Sequence, residues 1–262
     1  MVNIKKPVLI IIIPCYNEEE ILVQTAKLLC EKIRQLVFAG VINDKSSLLF
    51  ADDGSKDNTW GLINELHFEN PQIFCGIRFK ENCGQQITLL KGLFLTKDYA
   101  DITITIDADL QDDINSIDKM LEIYFSGFDI VCGVRSNRDN DSFFKRNSAI
   151  LFYRFMNFLG ANLIENHAEF RLMSKKAVET LLAQSNDKLF LRGIIPQLGY
   201  KTGIVFYKRE KRPIGHTKYS KLKLIFYAFS AILTFCFPGK KNKKQSGIDF
   251  HPQETLFKYG KS

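Results

Sequence analysis

The sequence predicts an α/β fold, a doubly wound sheet with helices on both faces, and three observations carry that prediction. Val8–Ile13 is an unbroken apolar run rich in β-branched residues, the pattern of a parallel strand covered on both faces. Strand-like runs recur near 48–51, 73–79, 102–106 and 129–134, with helix-like stretches between the first four and again from Ser116 to Phe125. Such alternation builds wound sheets. Two of the runs end in acids: Leu48-Leu49-Phe50-Ala51 leads into Asp52-Asp53-Gly54-Ser55, and Ile102–Ile106 leads into Asp107-Ala108-Asp109. A strand ending in carboxylates delivers them to the C-terminal edge of the sheet, where α/β proteins bind ligands.

Taken in order, Pro14-Cys15-Tyr16-Asn17 breaks the first strand, and Glu18-Glu19-Glu20 is expected to open an amphipathic helix reaching about Phe38. Its acidic first turn would complement the helix dipole. After Gly133 the character changes. Arg135, Arg138, Lys145 and Arg146 stud a stretch that becomes aromatic at Phe143-Phe144 and Phe152-Tyr153-Arg154-Phe155. Amphipathic helices are expected at about 142–159 and 174–184, then a strand near 203–208 leading into the basic loop Lys208–Lys218. Leu224–Phe237 is a 14-residue apolar run preceded by Lys221 and Lys223. A spanning helix needs about 20 apolar residues, so this one reads as an interfacial or re-entrant helix anchored by its lysines. The polar, basic stretch 238–262 is expected to be disordered. The chain thus divides into a folded domain over 1–220, a membrane-associated helix over 221–237 and a tail over 238–262.

At 262 residues the chain is long enough to bury a full core. Its formal charge of +7 is concentrated in the Lys- and Arg-rich region from Lys201 to Lys244. Such a region suits nucleic acid, anionic lipid headgroups or a phosphorylated substrate. Nucleic acid is disfavoured, since no recognition motif is present and the acidic clusters would repel phosphate without a metal. The six cysteines form no C-x-x-C pair and read as reduced core thiols. The six apolar residues before Pro14 are too few for a signal-peptide core. Both features favour a reducing, cytosolic compartment. His67, His167, His216 and His251 lack zinc-ligand spacing.

The segments Pro14-Cys15-Tyr16-Asn17-Glu18, Asp52-Asp53-Gly54-Ser55, Asn82-Cys83-Gly84-Gln85 and Asp107-Ala108-Asp109-Leu110-Gln111-Asp112 resemble, in order and spacing, the motifs of inverting family 2 glycosyltransferases. That family has the GT-A fold, a Rossmann-like mixed sheet flanked by helices. Gly133-Val134-Arg135-Ser136-Asn137-Arg138, Glu169-Phe170-Arg171-Leu172-Met173, Phe190-Leu191-Arg192-Gly193 and Arg212-Pro213-Ile214-Gly215-His216-Thr217-Lys218-Tyr219 look like its polyprenyl-phosphate branch. Bactoprenol glucosyltransferases and dolichol-phosphate mannosyltransferases belong there. The resemblance spans about residues 7 to 230. It implies metal-dependent transfer of a sugar from a nucleotide-sugar, UDP-linked by expectation, to undecaprenyl phosphate. The enzyme would work at the cytosolic face of the cell membrane, held peripherally or weakly anchored on an anionic surface.

Residue by residue, the resemblance assigns Pro14, Tyr16, Asn17, Glu18, Asp52, Asp53, Asn82 and Gly84 to the nucleotide-sugar. It assigns Asp107, Asp109 and Gln111 to Mg²⁺ or Mn²⁺, with Asp107 also supporting the diphosphate. Arg135, Arg138, Arg192, Arg212 and Lys218 go to phosphates and the acceptor, with Arg209, Tyr207 and Tyr219 nearby. Asp107, Asp109 and Glu169 form the catalytic set.

The residue types suit these tasks, and each has a plainer alternative. Glu18 would serve equally as a dipole partner for the following helix. Asp52-Asp53-Gly54-Ser55 would serve as a turn capping the next helix, with Gly54 permitting the turn. In Asp107-Ala108-Asp109 a two-residue period puts both carboxylates on one side if the chain stays extended. Like charges held close cost energy without a cation between them. A hard cation prefers such oxygens and neutralises a leaving diphosphate. Arginine's planar fork matches phosphate, although a solvated basic face would look the same.

Glu169 stands where the branch commonly has Asp. A phosphate acceptor, with a second pKa near 6, makes little demand for a base, so Glu169 is read as base, as acceptor-orienting group or as partner of Arg171. Bactoprenol-type relatives continue into two transmembrane helices, whereas Lys240-Lys241-Asn242-Lys243-Lys244 follows soon after Phe237 here. That departure reads as a short peripheral form or as loss of the membrane part. The alternatives are transfer onto a surface glycan, with Glu169 a true base, and a membrane-surface nucleotide-binding pseudoenzyme. The sequence leaves open whether the chain is a homo-oligomer.

Overall fold

The computed structural model describes residues 6–136, 167–184, 191–210 and 251–257. Strand β1 (Leu9–Cys15) is followed by α1 (Leu22–Phe38), β2 (Ser47–Asp52), α2 (Thr59–Glu69), β3 (Phe74–Arg78), α3 (Gln85–Thr96), β4 (Ile102–Thr105), α4 (Ser116–Phe125) and β5 (Ile130–Arg135). Then come β6 (His167–Ser174), α5 (Lys175–Gln184), the short α6 (Leu191–Ile194) with a 3₁₀ turn at Ile195–Gln197, β7 (Thr202–Tyr207) and β8 (Glu254–Leu256). The strands form one mixed sheet in the order β7-β5-β6-β4-β1-β2-β3-β8. Strands β4, β1, β2 and β3 run parallel, as do β5 and β7, while β6 and β8 are antiparallel to their neighbours.

The two-residue period of β1 explains the layering. Leu9, Ile11 and Ile13 face a core closed by Leu22, Ala26 and Leu29 of α1, Trp60 and Ile63 of α2, and Ile117 and Met120 of α4. Ile10 and Ile12 face a second core with Leu89, Leu90 and Leu93 of α3, Val178 and Leu181 of α5, and Leu191 of α6. A strand buried on both faces must be apolar throughout, and each such side chain contributes about 1.5–3 kcal/mol on burial. The sheet is therefore doubly wound, as the sequence predicts.

The order also places the site. The chain adds β2 and β3 on one side of β1, then crosses back to place β4 on the other. Ligands bind at such a switch point, outside the carboxyl ends of the strands. The register aligns Cys15 with Asp52 and Ile12 with Thr105, which brings both acid-ended strands to one edge.

Several expectations need correction. Helix α1 begins at Leu22 and has no acid in its first turn. The backbone N–H groups of Glu18 and Glu19 donate instead to Thr59 Oγ1 and to Asp57, at 2.8 and 3.3 Å, so the acids belong to a loop. The tail read as disordered contributes β8 within residues 251–257, because it completes the hydrogen bonding of β3's edge. Strand β6 had no sequence-based expectation at all. Five cysteines among the described residues are free thiols, four of them buried. The helices expected at 142–159 and 221–237, and most of the basic loop, lie outside the described residues. Among the described residues no helix is long and apolar enough to cross a membrane.

Candidate active site

The loops leaving β1 and β2 are stitched to each other. Asn17 sits at φ +53°, a left-handed conformation that Asn tolerates better than most residues. Its N–H donates to Ser55 Oγ at 2.9 Å, and its Oδ1 accepts from the Lys56 N–H at 2.8 Å. Tyr16 and Glu18 share this loop, whereas Pro14, expected to break the strand, still pairs within β1 opposite Ala51; all three are partly exposed. The expected turn is present as well: Asp52 Oδ1 accepts from the Ser55 N–H at 3.0 Å. Asp52 is fully buried, with Arg78 Nε 3.4 Å from its Oδ2. Burial pushes its carboxyl above the usual range, and its bonds to Ser55 and the charge of Arg78 only partly offset this.

Asp53 reaches the loop between β3 and α3. Its Oδ1 accepts from the Cys83 N–H at 2.8 Å, and its Oδ2 from the Gly84 N–H at 2.9 Å. Gly84 needs its φ of +91° to present that N–H, a conformation that costs glycine little. Asp53, expected to serve base or ribose, thus first fastens two loops together. Oδ1 also accepts from Cys83 Sγ at 3.1 Å, so Oδ2 is the carboxylate oxygen that retains a further lone pair for a ligand. Asn82 is exposed beside it.

The second acidic segment departs from the extended geometry assumed for it. Strand β4 ends at Thr105, and residues 108–110 turn, with Leu110 at φ +54°. Ala108 is buried, and its carbonyl accepts from Thr25 Oγ1 at 2.7 Å. The turn, not strand alternation, sets the relation of Asp107 to Asp109. Asp109 Oδ1 accepts the Gln111 N–H at 3.2 Å, and Gln85 Nε2 donates to Asp107. Burial, then the charges of Asp112, Asp109 and Glu169, push the Asp107 carboxyl up to about 7, against Arg135.

Asp112 is the residue that sequence reasoning missed. It is buried and accepts from Tyr207 Oη and from Arg135 Nη2, the latter at 3.2 Å. Its other oxygen, Oδ2, has no hydrogen-bond partner. Arg135, expected to bind phosphate, therefore has an internal carboxylate partner. Burial pulls its pKa down, but Asp112 and Tyr207 raise it overall. Burial and then Asp112 push the Tyr207 phenol well above its usual range. Asp112 was visible in the motif, but its partners lie 23 and 95 residues away, beyond any local signal.

His167, Glu169 and Arg171 alternate along β6 and are all buried. Arg171 Nη2 donates to Glu169 Oε2, and Arg192 Nε, from α6, donates to Oε1 at 2.8 Å. Burial alone would raise the Glu169 carboxyl. Arg171, Arg192 and His167 outweigh that and hold it near 2. Burial, Arg171 and Arg192 keep His167 neutral, its pKa far below the usual value. Arg138, Arg212 and Lys218 lie outside the described residues.

Among the described residues, no three His, Cys, Asp or Glu side chains come together as a self-contained metal cage. The oxygens of Asp107, Asp109 and Gln111 are of the kind a hard cation prefers, and would suit one that takes a few protein ligands and keeps part of its shell for phosphate. The surplus negative charge that raises Asp107 is what such a cation would offset.

The mixed, doubly wound sheet with an acidic C-terminal edge defines an α/β class of ligand-binding proteins, and comparisons with known proteins give the family. The family model for glycosyl transferase family 2 matches residues 10–182. The glycosyltransferase YkoT of Bacillus subtilis is 46% identical over 230 residues, covering 88% of this chain and 68% of the relative. A prophage bactoprenol glucosyl transferase homolog of Escherichia coli is 35% identical over 228 residues, covering 86% and 71%. Among solved structures, glucosyl-3-phosphoglycerate synthase of Mycobacterium tuberculosis, in complex with Mn²⁺, UDP-glucose and glycerol 3-phosphate, superposes with a TM-score of 0.58. That match has 17% identity and covers 88% of this chain and 80% of the synthase. The chain belongs to glycosyl transferase family 2 and is an enzyme of that family, on the side of the bactoprenol glucosyl transferases.

Proposed function

We propose that the enzyme moves a sugar from a UDP-sugar to a polyprenyl phosphate, with a divalent cation, Mg²⁺ or Mn²⁺, held by Asp107, Asp109 and Gln111. When bound, that cation supplies charge neutralisation for the departing diphosphate. The chain's own groups do the rest. The end of β1 at Pro14 and the loop that follows it to Glu18, with Tyr16 and Asn17, together with Asp52, Asp53, Asn82 and Gly84, hold the nucleoside. Asp53 keeps the β3–α3 loop in place under it. Arg135, anchored on Asp112, presents the remainder of its fork toward phosphate. Arg138, Arg192, Arg212 and Lys218 complete the anion-binding side.

The state of Glu169 carries the choice of acceptor. A carboxylate held near 2 by two guanidinium groups is a weak proton acceptor, since a general base works best with a pKa near the operating pH. A sugar hydroxyl would need such a base. A phosphate monoester is largely ionised at neutral pH and attacks without one. Glu169 then orients Arg192 and Arg171 instead of taking a proton. The relatives named bactoprenol glucosyl transferase support a lipid phosphate, and the basic C-terminal third supports work at the cytosolic face of an anionic membrane, peripherally held.

The test is release of nucleoside diphosphate from UDP- and GDP-sugars, with Mn²⁺, Mg²⁺ or EDTA, with and without a short polyprenyl phosphate in detergent. Release that requires both cation and lipid phosphate is expected with a UDP-sugar. Release driven equally well by a neutral glycan acceptor, and lost in Glu169→Gln, would overturn the lipid-phosphate reading.

A further inference from the structure

The acidic loop is gripped by a stretch of chain that the sequence links to the acceptor. Tyr207–Glu210, the end of β7 and the start of the basic run, lies across Asp107–Asp112. Below, Tyr207 Oη donates to buried Asp112. Above, the Glu210 N–H donates to the Gln111 carbonyl at 3.0 Å, and Gln111 Nε2 donates to the Glu210 carbonyl at 3.3 Å. Arg209 Nη2 donates to Gln111 Oε1. The amide of Gln111 is thereby turned so that its oxygen faces a guanidinium and its NH₂ faces a carbonyl.

That oxygen is the one side-chain atom Gln111 can offer to a hard cation. An amide oxygen aimed at a guanidinium and one aimed at a divalent cation are alternatives, because two positive charges on one oxygen repel. Arg209 is exposed, so exchanging its partner requires no unburying. The Tyr207–Asp112 contact is buried and can hold the loop while Arg209 swings away.

We propose that Arg209 is a positioning residue, a resident stand-in cation that holds Gln111 Oε1 until a divalent cation arriving with the nucleoside diphosphate takes that oxygen. The inference rests on the reading of Gln111 as a cation ligand. Before the donor arrives, Arg209 keeps the amide rotamer ready and offsets part of the acidic charge. Once displaced, its guanidinium becomes available to an anion in the same basic run, so donor binding readies the acceptor side.

The latch makes a prediction of unusual sign. A residue that only props up the loop would weaken nucleotide binding when removed, whereas a competitor would strengthen it. Calorimetric titration of UDP and of GDP, each with Mn²⁺ and with EDTA, is done on the wild-type chain, Arg209→Ala and Arg209→Lys. Arg209→Ala is expected to bind the nucleotide with Mn²⁺ about 2- to 12-fold more tightly, the range set by one hydrogen bond of ordinary net worth. Arg209→Lys should fall between, and the affinity in EDTA should not change. Unchanged or weaker binding by Arg209→Ala with Mn²⁺, where the wild type binds, overturns the latch and leaves the donor reading standing. A wild type that binds neither nucleotide in a cation-dependent way overturns the cation reading of Gln111 and the latch with it.

Discussion

Asp107 leaves β4 into a loop of further acids, and Glu169 lies one strand over on β6, where Thr105 of β4 donates to its carbonyl. Asp107 is pushed up to about 7 by burial and by Asp112, Asp109 and Glu169. Glu169 is held near 2: burial opposes, but Arg171 and Arg192 prevail. The chain leaves one carboxylate short of positive charge and saturates the other. A group short of charge can exchange what it binds, whereas a saturated one keeps its geometry. On the proposed function, the first belongs to the part of the site that loads and unloads, and the second to its frame.

The strongest way to break this contrast is to remove charge from the frame. Arg171→Met should destabilise the fold by about 3–5 kcal/mol, because it leaves the buried Glu169 carboxylate with one guanidinium fewer. Adding Glu169→Gln should recover part of the loss in urea unfolding. Removing charge from the exchangeable side should spare the fold and cost chemistry. Asp109→Ala is expected to lower cation-dependent diphosphate release about 10²- to 10³-fold, as loss of one group at a developing charge does. Its unfolding midpoint should stay close to wild type.

Acid should separate the two groups further. The folded-state value of Glu169 lies below its usual 4.5. Its contribution is therefore complete above about pH 4.5 and is lost as pH falls toward about 2, on the order of 3 kcal/mol. Urea midpoints followed from pH 6 to pH 3 should fall less steeply in Glu169→Gln. Asp107→Asn has the opposite sign: it removes repulsion, so the cation-free chain should melt no lower than wild type, and slightly higher, in a thermal scan. The smallest effect is expected at Asp98, an exposed carboxylate 3.1 Å from Lys97. Asp98→Ala should cost about 0–1 kcal/mol, as exposed pairs do.

These two carboxylates also show what the sequence could and could not disclose. The acid-ended strands were legible because an apolar run ending in Asp is a local pattern, and α4 was legible to the residue over Ser116–Phe125. Strand β6 was not, because His167, Glu169 and Arg171 all sit in a buried strand, Arg171 pairing with Glu169, instead of alternating with solvent-facing positions. Nothing within a few residues of Glu169 shows that Arg192 comes to meet it. The turn at 108–110 was hidden for a related reason. There the Ala108 carbonyl accepts from Thr25 Oγ1 on the distant helix α1, whereas the motif alone suggested a continuing strand.

Strand β8 gives this protein its own optical reporter. The sole tryptophan in the sequence, Trp60, donates its indole N–H to Glu254 at 3.0 Å and has the Arg78 guanidinium 5.9 Å from its ring centre. Arg78 in turn pairs with buried Asp52. The emission of one indole is thus wired both to the seating of β8 and, through Arg78 and Asp52, to the C-terminal edge of β2, so a fluorimeter can follow a change at either without a label.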